Sequence, residues 1–302
     1  VEKCDTANAK YQFENNGCID GVGTEVEILT QIRELVCMLP GNNAGGGREE
    51  ECTDDLNRVC ENLEGCVQDP RLVLSNIADD NLFIETKADY AKNMVTGFLR
   101  LNGMTIGAVA NAGVVFDENG EKKETFDKGL SARGCNKAAE FIQFCDAFDI
   151  PILSLTAVEG FAASLCSEKN LAKAMAHMTA AFANATVPKV NIIVGNAYGS
   201  ASVMMNSKSI GADLVYAWEG SKVGMMDATL AAKIMYEDES AEVVAQKAKE
   251  YEELQSSVQT AARRGLVDLI ISPADTRKYA VAAFEMLYTK GAGEPVKKHI
   301  AK

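Results

Sequence analysis

The stretch from Pro188 to Trp218, P-K-V-N-I-I-V-G-N-A-Y-G-S-A-S-V-M-M-N-S-K-S-I-G-A-D-L-V-Y-A-W, restricts this chain to few architectures. A short apolar run, Val190 to Val194, breaks at Gly195, passes through Ala197-Tyr198-Gly199-Ser200-Ala201 and enters a segment of small residues. That order reads as a strand, a tight turn and a helix whose small side chains permit close backbone approach. Amides presented at such a turn can hold an oxygen that gains negative charge. The same small residues would also serve a helix that only packs tightly, and the motif alone leaves both readings open.

The rest of the chain repeats this order. Phe98 to Asn111 holds two apolar runs separated by Asn102-Gly103, the dipeptide best suited to a two-residue hairpin. A helix is expected near Lys137 to Phe148, with Ala138, Phe141, Ile142, Cys145 and Phe148 on one stripe, stopping before Pro151. A strand from Pro151 to Thr156, a helix from Leu171 to Ala185, a strand from Val190 to Val194, a helix from Gly199 to Ile210 and a strand from Leu214 to Ala217 continue the alternation. This is the pattern of layered α/β structure. Long helices at Glu239 to Arg264 and Thr276 to Tyr288 would cover a core or meet another subunit.

Upstream, Val1 to Asp20 reads as strand and loop. Glu25 to Leu39 carries Val26, Ile28, Leu29, Ile32, Leu35, Val36 and Leu39 at helical spacing, closed by Pro40-Gly41. From Gly41 to Pro70 the chain is polar and rich in Asn, Gly and acidic residues, including Gly45-Gly46-Gly47 followed by Arg48, and it reads as an exposed linker.

With 302 residues, 47% of them hydrophobic, the chain can bury a large core. No apolar stretch reaches the roughly 18 to 20 residues needed to span a bilayer, and the start V-E-K-C-D is not a signal peptide, so the cytoplasm is the expected setting. A formal net charge of −13 argues against nucleic acid as a partner. It does not exclude an anionic coenzyme held by local amides and a few cations. The nine cysteines are odd in number and form no C-x-x-C pair, which points to reduced thiols and no metal. Cys52, Cys60 and Cys66 cluster without histidine, a poor zinc set. Of the two histidines, His177 lies in a helical run and His299 in the tail, neither beside an obvious nucleophile, so a histidine-based triad is not expected.

A series of motifs resembles one family. These are D-Y-A-K-N-M-V-T-G-F-L-R-L-N-G from Asp89, K-A-A-E-F-I-Q-F-C-D-A-F-D-I-P from Lys137, A-T-V-P-K-V from Ala185, A-Y-G-S-A from Ala197, N-S-K-S-I-G-A-D from Asn206 and A-A-R-R-G-L-V-D from Ala261. In this order they resemble the carboxyltransferase subunits of biotin-dependent acyl-CoA carboxylases, of the propionyl-CoA carboxylase beta type. They equally resemble those of sodium-pumping acyl-CoA decarboxylases acting on methylmalonyl- or glutaconyl-CoA. Several matches in series are far more specific than any one.

The resemblance implies an α/β fold of the crotonase (ClpP-like) type, a superhelix of repeated strand-strand-helix units. It implies residues 1–40 as the end of an N-terminal carboxyltransferase domain, 41–80 as a polar linker and 81–302 as a C-terminal carboxyltransferase domain, so that the chain begins in mid-fold. The implied chemistry moves a carboxyl group between N1 of biotin, borne by a carrier protein, and the carbon alpha to a coenzyme A thioester. Biotin and a coenzyme A thioester are therefore the expected cofactor and substrate. The backbone amides of Ser200 and Ala201, turned by Gly199, would stabilise the biotin oxygen, and one such donor is typically worth roughly 3 to 4 kcal/mol in the transition state. Tyr198, Val203, Gly160 and Phe161 would bind substrate; Val203 falls where the family shapes the acyl pocket, although core packing explains it equally well.

Expected partners are a biotin carboxyl carrier protein, a biotin carboxylase, the N-terminal carboxyltransferase half and further copies in a trimer or hexamer. Departures from the pattern are Ala157-Val158-Glu159-Gly160-Phe161 in place of D-V-P-G-F, Glu168 to Ala174 in place of a Gly-Gly and Arg-His stretch, and Met225-Met226-Asp227-Ala228-Thr229 in place of a glycine-rich turn. These losses keep a non-catalytic assembly subunit open as an alternative. So is a crotonase-type hydratase or isomerase, for which Glu159 is the candidate acid or base.

Overall fold

A computed structural model describes residues 6–42, 51–117 and 119–290. Residues 1–5, the Gly45–Arg48 run and His299 lie outside the described residues. The first described segment is helical, not extended: α1 (Ala9–Tyr11) runs into a π-turn over Gln12–Asn16, ended by Gly17 at φ 63°. Next, α2 (Glu25–Met38) starts at a capping box in which the Glu27 amide donates to Thr24 Oγ1 and the Thr24 amide donates to Glu27 Oε2 at 2.7 Å. It stops at Leu39, which is extended because Pro40 follows. Its apolar stripe divides. Met38 is buried and Leu35 and Leu39 pack inward, whereas Val26, Leu29, Ile32 and Val36 are exposed. Substituting Thr24 by Ala is expected to cost about 1 kcal/mol of stability through loss of the cap, read from a urea unfolding midpoint.

Residues 51–70 alternate between exposed and packed positions instead of being exposed throughout. Cys60 and Leu63 are 2% and 1% exposed, and α3 (Pro70–Ile77), capped by Asp69 with Pro70 at its first position, buries Val73, Leu74 and Ile77. The polarity of this segment belongs to an ion-pair cluster. Arg58 donates to both oxygens of Asp54 at 3.0 and 2.9 Å, and Arg277, from the last helix, donates to Asp79 at 2.7 Å and approaches Asp54 at 3.4 Å. Solvated and ion-paired polar segments have the same composition, which is why the sequence misleads here.

Among the described residues the core is an eight-stranded mixed sheet in the order β1 (Phe83–Thr86), β2 (Met94–Leu101), β3 (Met104–Asn111), β7 (Ile152–Val158), β9 (Lys189–Tyr198), β10 (Leu214–Trp218) and β12 (Leu269–Ile271), with β11 (Lys222–Gly224) pairing the far end of β9. β4 (Val114–Phe116) with β5 (Lys122–Thr125), and β6 (Gly129–Leu130) with β8 (Gly160–Phe161), form two small ribbons. β1, β2 and β3 are antiparallel. The expected hairpin turn is present, with Asn102 at φ 51° and Gly103 at φ 74°, as a two-residue I′-type turn requires. From β3 onward the main path is parallel, each crossover carrying a helix.

Strand alternation sorts side chains to two layers. Leu153 and Leu155 of β7 and Val190, Ile192 and Val194 of β9 face α3 and α10 (Thr276–Leu287). Ile152 and Val158 face α4 (Ala132–Ala147) and α5 (Leu165–Asn184). α4 lies so close to β3 that a Cβ on Gly107 would sit 2.5 Å from Cys145 Sγ. Burial pushes the thiols of Cys135, up to about 12, and Cys145 far from reactivity.

Two expected helices are interrupted. The expected 199–210 helix is α6 (Gly199–Met204) followed, after Asn206 at φ 52°, by a 3-10 turn over Lys208–Ile210. The expected 239–264 helix, which follows α7 (Ala228–Met235), is α8 (Ala241–Tyr251), a π-turn over Glu252–Ser256 and α9 (Val258–Arg263). No helix among the described residues is long and apolar enough to cross a membrane.

Candidate active site

β9 ends at Tyr198, and the chain turns at Gly199, φ 62°, into α6. Gly199 is required twice over. Its φ is one that a Cβ opposes, and a Cβ there would lie 3.1 Å from the Met225 carbonyl oxygen. That contact exists because β11 continues β9's edge in register, Gly224 opposite Tyr198. The amides of Ser200 and Ala201 belong to the first turn of α6, where no intrahelical acceptor exists, and the N-cap Tyr198 offers them no side-chain cap. Ser200 is exposed; Ala201 is fully buried, its methyl in one apolar cluster with Phe161 and Met205.

A buried polar layer beneath α6 fixes the turn. The Met205 carbonyl, at the end of α6, accepts from Asn191 Nδ2 at 3.1 Å, and the single hydroxyl proton of Thr156 goes to Asn191 Oδ1 at 2.8 Å, with Thr156 Oγ1 3.3 Å from the same carbonyl. Asn206 Nδ2 donates to Ser154 Oγ at 2.7 Å. These bonds claim the carbonyl that a longer helix would need and so end α6 early. Asn111 adds a link, accepting from the Ala157 amide at 3.3 Å where β7 bulges. Thr156, Asn191 and Asn206 were not singled out from sequence, although an Asn inside the apolar run Val190–Val194 was a visible signal.

The sequence-derived residues fall around this turn. β8 carries Gly160 opposite Gly129 and Phe161 opposite Leu130, and lies against α6. The Cβ position of Gly160 faces open space. Val203 is 40% exposed, so core packing does not account for it. Tyr198 is buried, and its phenol is pushed up to about 12, first by burial and then by the negative charges of Asp227, Glu159 and Glu252. It remains a protonated donor at neutral pH. Glu159 is engaged: its Oε1 accepts from Lys128 Nζ and Asn196 Nδ2, both at 2.8 Å. His177 lies between α5 and α4, its ring nitrogens 3.2 Å from Gln143 Nε2 and 3.5 Å from Asn136 Oδ1. Among the described residues no grouping of three or more His, Cys, Asp or Glu is placed to hold a metal.

A mixed sheet, parallel from β3 onward, with unpaired main-chain donors at the carboxyl end of a central strand defines an α/β protein whose candidate site is that turn. The chain belongs to the carboxyl transferase domain family, whose model matches residues 1–301. It is 37% identical over 285 residues to the propionyl-CoA carboxylase beta chain of Cereibacter sphaeroides, covering 91% of this chain and 54% of that protein. It is 34% identical over 299 residues to the methylmalonyl-CoA decarboxylase subunit alpha of Propionigenium modestum, covering 94% and 56%. The transcarboxylase 12S structure, a hexamer with hydrolysed methylmalonyl-coenzyme A bound, superposes with a TM-score of 0.87 at 32% identity over 98% of this chain and 58% of that one. The chain thus spans about half the length of these relatives.

Proposed function

We propose that the chain is part of an acyl-CoA carboxyltransferase that moves a carboxyl group between biotin and the alpha carbon of a small acyl-CoA. The observation that carries this reading is the Tyr198–Gly199 turn, which presents the first amides of α6 with no side-chain cap. Biotin enters through the motif series from Asp89 to Asp268, and bound biotin supplies the ureido nitrogen that carries the carboxyl group. The residues fit such a group: the first amides of α6 have no side-chain cap, and the Cβ position of Gly160 borders open space.

In this reading the Ser200 and Ala201 amides donate to the oxygen that gains negative charge during transfer, and the Thr156–Asn191–Met205 bonds hold α6 so that those donors need no rearrangement. Tyr198 and Phe161 wall the turn, and Val203 meets the acyl group, its branched apolar surface suiting a small uncharged one. A crotonase-type superhelix of repeated units is the architecture we infer, supported by β10 and β11 succeeding one another along β9. Residues 1–40 and 81–302 are then parts of two carboxyltransferase domains. The assembly would include an N-terminal carboxyltransferase half, a biotin carboxyl carrier, a biotin carboxylase and further copies of the subunit. The decarboxylase relative supports a second reading in which the same transfer runs from acyl-CoA to biotin.

The test is transfer of carboxyl from methylmalonyl-CoA and malonyl-CoA to free biotin, using this chain with the polypeptide that completes it. Transfer by the pair and by neither half alone is expected. A complete, assembled pair that transfers nothing would leave the chain an assembly subunit.

A further inference from the structure

Far along the sheet from the Gly199 turn, and sharing no residue with it, a cavity of about 280 Å³ opens between α2, the β1–β2 edge and α4. Its walls are mostly apolar, from Leu35, Leu39, Phe98, Phe141 and Phe144. Set into them is Lys137, only 1% exposed, whose Nζ donates to the carbonyls of Lys87 and Tyr90, each at 2.8 Å. An ammonium has three N–H donors, so these bonds leave one uncommitted. Glu140, on the same wall, is already paired with Lys87 at 2.8 Å, and among the described residues Lys137 has no ion pair. A buried amine held by two carbonyls and by no ion pair, beside an apolar hollow, is complementary to an apolar molecule bearing one negative group.

We propose that this cavity binds a small monocarboxylate with an apolar tail of about six to eight carbons, its carboxylate on the Lys137 amine and its tail against the phenylalanines, since a 150 Å³ hollow already holds benzene. The occupant would join α2 to the sheet, because Leu35 and Leu39 supply one wall and β2 and α4 the other. Burial lowers the Lys137 amine to about 7; Glu85 and Asp89 raise it, Arg71 and Lys87 lower it further, and Asp20 and Glu140 also line the cavity. A bound carboxylate favours the charged amine and therefore raises its titration midpoint.

Hexanoate is the probe, titrated into the full chain and followed by NMR of the lysine side chains, with 1-hexanol and hexylamine as comparisons. Saturable hexanoate binding is expected, with a raised Lys137 midpoint and affinity weaker by about tenfold or more in Lys137→Met, the loss of a hydrogen bond to a charged group. Leu35→Trp, which adds bulk to the α2 wall and leaves Lys137 in place, is expected to weaken binding comparably and decides the matter if Lys137→Met does not fold. Absence of saturable binding, hexanol binding as tightly as hexanoate, or unchanged affinity in folded Lys137→Met or in Leu35→Trp would overturn the proposal.

Discussion

Replacing Arg277 by Met is expected to destabilise the fold by about 3–5 kcal/mol, more than any surface substitution in this chain, because it breaks a buried ion cluster on one side only. The Arg277 side chain has no exposed surface. Its Nη2 donates to Asp79 Oδ1 at 2.7 Å, its Nη1 to the Ile77 carbonyl at 2.6 Å and its Nε to the Asp55 carbonyl at 3.1 Å. Met fills most of the volume but returns none of these donors. Asp79 then loses its ion-pair partner and keeps the Asn102 and Gly103 amides, at 3.2 and 2.8 Å, as donors to a buried carboxylate. One guanidinium therefore fixes the end of α3, the Asp55 loop and, through Asp79, the β2–β3 turn. The measurement is urea unfolding of the two proteins. A loss below about 1 kcal/mol would mean that the cluster is no stronger than an ordinary surface pair.

The same cluster shows where sequence reading stops. Asn102-Gly103 was legible because both residues must take positive φ and few other dipeptides do so cheaply. The strand–helix alternation was legible because apolar runs bounded by Gly and Pro have few other uses. Arg277 was not legible: its partner Asp79 lies 198 residues away, and nothing local separates an Asp that pairs with an arginine from one that faces water. The break within 239–264 was hidden for a similar reason. Helix-favouring residues run through it, and the interruption is set by tertiary contacts: Lys222 bridges Ser257, whose hydroxyl caps α9 by accepting from the Thr260 amide at 3.3 Å. At the site, the turn could be read from Tyr198 and Gly199, but the Met205 carbonyl with its Asn191 donor could not, since a backbone acceptor carries no residue signature.

Gly199→Val is expected to lower carboxyl transfer about 10²- to 10³-fold, the scale of losing one preorganised oxyanion donor, while lowering stability by only about 1–3 kcal/mol. A β-branched residue resists φ 62°, and its Cβ would stand 3.1 Å from the Met225 carbonyl, a backbone atom held by the β11 pairing. Neither the turn nor β11 can yield alone. Relief comes from rotating the Tyr198–Ser200 peptides, which re-aims the first amides of α6 without touching the Asn191 and Thr156 bonds at its far end. The rate effect should thus exceed the stability effect, with the affinity for the acyl-CoA little changed, because the donors act on charge that develops during transfer. Gly199→Ala meets the same carbonyl with less bulk and should fall between. Both variants are to be assayed in the complete assembly beside their unfolding midpoints. A folded Gly199→Val that transfers within about twofold of the parent would remove the Ser200 and Ala201 amides from the chemistry. A loss that merely follows the unfolded fraction would assign Gly199 to packing alone.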